Sequence, residues 1–281
     1  MRSSSPGPRA ILLLPLMLFC LVLPRRAAAQ ECQHSALRAG TISLDGVQRV
    51  HVIAGAGSLL VTGVAGVTEA RASGRACASA ADDLSEVRIR LRKSGSTAEI
   101  EVLYPEDRMR FPPRYAYLDL EVVVPQGMPV RIDDGSGNVT VSGTGRTEVN
   151  DGSGNLTVRD IRGDLRIDDG SGNIDVAGVA GSVGIDDGSG DIRITDVRGS
   201  VAIDDGSGDV VVRGVAGSVE IEDGSGDIRI AQVIRDVRIE DDGSGSIRVE
   251  NVGGDFTVGD DGSGDVTHTN VSGRVSIPDQ D

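Results

Sequence analysis

The chain reads as an all-β protein, a single-stranded β-solenoid of about 18 residues per coil with two short strands in each. Three observations carry this reading. One phrase, an acidic residue or Asn followed by Asp-Gly-Ser-Gly, recurs eight times between Arg131 and the C-terminus, its first glycines being Gly135, Gly152, Gly170, Gly188, Gly206, Gly224, Gly243 and Gly262. Between the copies, β-branched residues alternate with polar ones, the period of a strand with one buried face. Aromatic residues make up only 2% of the 281 residues while glycine supplies 39. A stack of thin, in-register coils has no room for large rings, and it needs glycine wherever the chain reverses.

The elements follow in order. Residues 1–29 have the pattern of a secretory signal peptide: Arg2 and Arg9, then the apolar run from Ala10 to Pro24, then Ala27-Ala28-Ala29 as the cleavage signal. The run is short for a membrane span and contains Pro15. Met17-Leu18-Phe19 before Cys20 lacks the small residue that lipidation at this cysteine requires. Cleavage after Ala29 leaves 24 basic against 43 acidic residues, deepening the net charge from −15 to −19. It also leaves two cysteines, Cys32 and Cys77, which in an oxidising compartment read as one disulfide.

Residues 30–130 form an irregular N-terminal β region that caps the solenoid. Val50-His51-Val52 and Ser58–Val64 read as an early, imperfect coil. Glu86–Leu91 and Ala98–Val102 alternate cleanly around Ser94-Gly95-Ser96, the pattern of a hairpin. Leu118–Pro125 is the next strand, and Gly127 turns the chain into the repeats.

Residues 131–281 are the regular repeats. In the unit that starts at Gly190, Ile192 and Ile194 belong to one strand, Val201 and Ile203 to the other, and Val197 lies at the corner between them. Asp205-Gly206-Ser207-Gly208 makes the second corner. A unit of this size cannot bury its apolar face alone; stacking does so, with hydrogen bonds running between coils. At about 4.8 Å per coil, eight coils make a rod of roughly 40 Å.

The strand Tyr117–Ile132, YLDLEVVVPQGMPVRI, follows an irregular β start and leads into serial Ser-Gly-Asp/Asn-hydrophobic coils. Over roughly Asp45 to Ile277 the chain resembles the bacterial putative-adhesin β-solenoid family, domains of cell-envelope proteins. The resemblance implies a surface or envelope role and carries no catalytic residues.

Two groups of residues are candidates for chemistry. Asp134, Asp151, Asp169, Asp187, Asp205, Asp223, Asp242 and Asp261 stack along one edge of the coil, beside a second row that includes Asp168, Asp186, Asp204 and Glu222. Like charges one coil apart repel by about 0.9 kcal/mol per pair even at the dielectric of water. Turn N–H groups, outward arginines (Arg166, Arg193, Arg229, Arg238, Arg248) or a row of Ca²⁺ ions could relieve them. The aspartates and serines also suit Asx- and Ser-turns, which is favoured over a ligand site. The Ca²⁺-binding nonapeptide solenoid differs, having an extra residue between its last glycine and the aspartate and the motif on both edges.

The second group is YPEDRMRFPPRYAY, with Tyr104, Arg108, Arg110, Phe111, Arg114, Tyr115 and Tyr117. Tyr and Arg are favoured interface anchors, so this segment reads either as an exposed binding loop or as a flap over the solenoid.

A sequence pI near 4.6 excludes a nucleic-acid binder. His34, His51 and His268 are scattered, and no nucleophile–base grouping or phosphate loop stands out. The reading is therefore a non-catalytic, exported monomer of the periplasm or cell surface, adhesin-like or scaffolding, partnered by an envelope protein or surface glycan. A Ca²⁺-stabilised rod is the alternative. A polysaccharide-active β-helix enzyme ranks below both, because its acids would cluster in a groove rather than follow a periodic row. Apart from Ca²⁺, no cofactor is expected.

Overall fold

A computed structural model describes residues 32–105 and 114–278. The signal-peptide reading falls on residues outside these, as do Arg108, Arg110 and Phe111.

The N-terminal region supplies β1 (His34–Ser43), β2 (Arg49–Ile53), β3 (Leu59–Val64) and β4 (Glu69–Ala78). A short helix α1 (Ala81–Glu86) follows, then β5 (Arg88–Ser94), β6 (Thr97–Leu103) and β7 (Ala116–Pro125). The repeats open with β8 (Val130–Asp134) and β9 (Val139–Ser142), continue with β10 (Thr147–Asp151) and β11 (Leu156–Ile161), and close with β23 (Val266–Val271) and β24 (Val275–Ser276).

Two 12-stranded sheets result. Sheet I runs β1-β4-β7-β3-β9 and then through the odd-numbered strands to β23; sheet II runs β5-β6-β2-β8 and then through the even-numbered strands to β24. Every pair within the repeats is parallel, and the register holds apart from one shift after Ile221, where Val219–Asp223 meets Val237–Asp242; Val183, Ile185 and Asp187 lie against Val201, Ile203 and Asp205. Inward residues alternate with outward ones in each strand. Val201, Ile203, Ile192, Ile194 and Val197 are all buried, and the same five positions are buried in the coils on either side. The interior is a narrow column of Val and Ile, which agrees with the scarcity of rings. Among the described residues, Phe256 is the one phenylalanine, and it sits in the buried core near the C-terminal end, where His268 packs beside it at 6.1 Å. His268 occupies the inward slot of the last coil and is exposed there.

The two corners solve the reversal differently. At the Asp-Gly-Ser-Gly corner the second glycine takes φ between +128° and +152° throughout. A Cβ on Gly190 would lie 1.9 Å from the carbonyl oxygen of Gly172 in the preceding coil, so both backbone conformation and coil spacing demand glycine. At the opposite corner a single left-handed residue turns the chain. Gly178 and Gly214 fill it in some coils, and Asp160, Asp196, Gln232, Asn251 and Asn270 fill it in others. Asp and Asn enter this region more readily than most residues do.

The N-terminal end departs from simple winding. The coil β2–β3 lies between β6–β7 on one side and β8–β9 on the other. The chain therefore leaves after β3, builds the end of the rod, and then steps over its own first coil to start the repeats. The excursion adds two long antiparallel strands, with β4 between β1 and β7, and the antiparallel hairpin β5–β6. The hairpin, the early coil and the Leu118–Pro125 strand agree with expectation; β1, β4 and the helix α1 do not follow from the alternation pattern. A Cys32–Cys77 disulfide fastens the start of β1 to β4.

Candidate functional site

The aspartate column comes from the parity of the strand. In most even-numbered strands of the repeat the order is apolar, outward, apolar, outward, Asp, so the Asp shares the inward face with Val and Ile; in Val237–Asp242 one further residue precedes the Asp. Asp151, Asp169, Asp187, Asp205 and Asp223 are only 2–3% exposed, Asp134 is 8% exposed and Asp242 is fully buried. The carboxylates line the inside of the corner. Their chain neighbours Asp168, Asp186, Asp204 and Glu222 face solvent. The signal was in the sequence, since Asp205 lies two residues beyond Ile203 and four beyond Val201.

Five successive corners each use one carboxylate oxygen. The N–H of Ser153, Ser171, Ser189, Ser207 and Ser225 donates to Oδ1 of Asp151, Asp169, Asp187, Asp205 and Asp223 respectively, at 3.0–3.2 Å. These are Asx turns, as expected. The second oxygen, Oδ2, of these five aspartates is buried and has no hydrogen-bond partner. Pairing in register sets the residues one above another: Asp151 on Asp169, Asp169 on Asp187, Asp187 on Asp205 and Asp205 on Asp223. At an effective dielectric of about 20, two charges one coil apart repel by about 3.5 kcal/mol.

Burial and this repulsion act in the same direction. Burial, with Asp223 next, pushes Asp205 up to about 7. Burial also raises Asp134, Asp169, Asp223 and Asp242 to about 6, and it raises Asp151 and Asp187. The outward arginines do not relieve the column. Arg229 pairs with Asp209 and Asp227, Arg238 with Glu240, and Arg248 with Glu250, all of them exposed or half-buried acids. Among the described residues, no group of three or more His, Cys, Asp or Glu side chains is arranged to hold a metal ion. Asp151, Asp169, Asp187, Asp205 and Asp223 each present one unpartnered oxygen, and Asp134 and Asp242 present two, whereas Ca²⁺ takes six to eight.

The aromatic segment divides. Arg108, Arg110 and Phe111 lie outside the described residues. Tyr104 turns inward: its hydroxyl accepts from the N–H of Ala56 at 3.0 Å and donates to the carbonyl of Ala56 at 2.8 Å, closing the backbone of the first corner. Arg114 reaches the buried Asp83 of α1 at 3.2 Å. Tyr115 stacks on Tyr117 with centroids 6.3 Å apart, and its hydroxyl accepts from Gln33 N–H. The described members of this segment thus hold the end of the rod together.

The outer face of sheet II carries a shallow depression over Gly184 and Ala202, rimmed by Arg166, Asp186, Asp204, Glu220, Glu222 and Glu240. Small residues on two successive coils leave a trough between columns of acids. Glu220 is raised by its hydrogen bond with Glu240.

A Toastrack DUF4097 profile matches residues 82–259, more than half of the chain. The chain belongs to the Toastrack family. This match covers the coils as far as residue 259 together with the later half of the N-terminal region. Among solved structures, the chain is similar to a putative adhesin from Bacteroides fragilis NCTC 9343, with 12% identity over 88% of this chain and 98% of the other and a TM-score of 0.45. It is also similar to a putative cell adhesion protein from Clostridium sporogenes ATCC 15579 (10% identity, 87% and 99% coverage, TM-score 0.29). A third is a putative lipid binding protein from Parabacteroides distasonis ATCC 8503 (14% identity, 88% and 98% coverage, TM-score 0.38). Comparison with curated protein sequences finds no match. Among the described residues of this Toastrack chain, no helix is long and apolar enough to cross a membrane.

Proposed function

We propose that this Toastrack protein is an exported, non-catalytic β-solenoid of the bacterial cell envelope that works as an adhesin-like or scaffolding module. The observation that carries this reading is how the repeat spends its polar residues. The Asp-Gly-Ser-Gly phrase is consumed by the corner, where it bonds turn N–H groups and admits close coils, and the tyrosines brace the N-terminal end. What is left for a partner is the outside of the sheets, where Asp168, Asp186, Asp204 and Glu222 repeat coil by coil.

A surface of this kind suits a ligand that is itself extended and repetitive, such as a surface glycan or a strand-rich envelope protein. Each contact is weak, and contacts spaced at about 4.8 Å add through effective concentration. The leader-like residues 1–29 would deliver the chain to the envelope. The test is to express the full chain in a two-membrane bacterium, fractionate the cells, and sequence the mature N-terminus. A chain that begins at Gln30 in the periplasmic or surface fraction supports the reading. An intact leader in the cytosolic fraction overturns it. Binding of the recovered protein to cell-envelope material, weakened by Asp186→Ala with Asp204→Ala, would tie the partner to sheet II.

A further inference from the structure

We propose that the inner aspartate column is a proton-binding site: its carboxyls take up protons from solution as the coils assemble and hold them between successive turns of the rod. The argument starts from the unpartnered atoms. Five consecutive coils each bury a carboxylate oxygen that no donor of the chain reaches, in Asp151, Asp169, Asp187, Asp205 and Asp223. A buried acceptor without a partner is costly, and a buried unpaired charge is more so. A proton removes both costs at once. It neutralises the carboxylate, and it turns Oδ2 from an acceptor into a donor. The next aspartate of the column, set directly above by the strand register, supplies the acceptor.

Turn N–H groups such as those of Ser153 and Ser189 bond to the column but bring no positive charge. Among the described residues, the charged side chains that act electrostatically on it are all acids. They are the column members themselves, with Asp186 beside Asp187, Asp191 near Asp205, Asp209 near Asp223, and Asp241 and Asp261 near Asp242. The strands of sheet I that face the column contribute Val and Ile from across the core, such as Ile192, Ile194, Val210 and Val212. At the N-terminal end the column stops at Asp134. Strand β2 puts Ala54 in the equivalent place, one residue beyond Ile53, which pairs with Asp133. The column is therefore a closed line of acids along the regular coils.

The raised affinities described above agree with this geometry. The sign of the consequence follows by linkage. The unfolded chain releases these protons near the ordinary carboxylate value of 3.8, whereas the folded column holds them up to about 6 or 7. Their contribution is fully present below the unfolded value and is lost as the pH rises through the folded values. Each carboxyl raised by about two units changes the folding equilibrium by about a hundredfold across that window.

The test uses the full chain and needs no ligand. Infrared spectroscopy of the folded protein should show a protonated-carboxyl band at about pH 6 that titrates away towards about pH 8, and the unfolding midpoint should fall over the same range. Asp187→Asn, Asp205→Asn and Asp223→Asn together should remove a large part of the band, flatten the pH dependence, and raise the midpoint at about pH 8, while Ca²⁺ or EDTA leaves the wild type unchanged. If the triple variant fails to fold, the wild-type titration and Asp205→Asn alone carry the same test. Absence of a protonated-carboxyl band above about pH 5 would overturn the proposal. So would a midpoint at high pH that Ca²⁺ restores and EDTA abolishes, because the column would then be a metal row.

Discussion

Replacing one glycine with alanine at two positions six residues apart should have opposite effects. Gly190 closes an Asp-Gly-Ser-Gly corner at φ +144°. A Cβ there would sit 1.9 Å from the Gly172 carbonyl oxygen and 2.6 Å from its carbon. An ordinary contact would require the two coils to separate by about 1 Å or more at a spacing of about 4.8 Å. That opening strains the bonds from Gly172 N–H to the Ser189 carbonyl and from Ile174 N–H to the Asp191 carbonyl, both 2.9 Å. Two such bonds contribute about 1 kcal/mol each, and the backbone conformation costs about 1–3 kcal/mol for a residue with a side chain. Gly190→Ala should therefore destabilise the rod by about 4 kcal/mol. Gly184, by contrast, lies on the outer face of sheet II, has nothing within 4 Å of its missing Cβ, and pairs with Ala202 in the next coil. Gly184→Ala should stabilise by about 0.4–1 kcal/mol, because the unfolded chain loses freedom. For a chain of this length, the two variants should differ in melting temperature by roughly 9–20 °C, followed by circular dichroism. Equal melting temperatures, or a Gly190→Ala protein within about 2 °C of wild type, would refute the idea that close coil contact dictates these glycines.

Other outcomes follow from the same geometry. Cys32→Ser with Cys77→Ser opens a link across 45 residues and should cost about 4 kcal/mol by loop entropy, read as a lower unfolding midpoint that reductant no longer shifts. Arg114→Ala strips the buried Asp83 of a partner at 3.2 Å and should cost about 1–3 kcal/mol in chemical denaturation; adding Asp83→Asn should recover part of it. Gln232 holds φ +60° where equivalent coils use Gly178 and Gly214, so Gln232→Gly should stabilise by about 1 kcal/mol despite losing an exposed hydrogen bond from Arg213.

The solenoid, its period and its inward residues could be read from the chain because each coil repeats the same local contest. Val201 and Ile203 must be hidden, Gly206 and Gly208 must turn the chain, and the identical neighbour one period away is the nearest surface that can hide them. The Asx role of Asp205 could be read for the same local reason. Its burial could have been read from strand parity, but the charge drew the eye outward: a carboxylate is expected in water, and only the stacked corners show that the fold closes over it and leaves Oδ2 without a donor. Tyr104 and Arg114 were misleading in the opposite sense, since residues typical of interfaces are spent here on Ala56 and Asp83. The order of the first coils lay beyond reach. Strands β2, β6 and β8 all alternate in similar ways, so nothing local says which will pair. That β2–β3 is enclosed between β6–β7 and β8–β9 is decided by long-range hydrogen bonding, once β1, β4 and the disulfide have closed the end of the rod. Local repetition specifies a coil, whereas the sequence in which unlike coils stack is settled only when every sheet edge finds its partner.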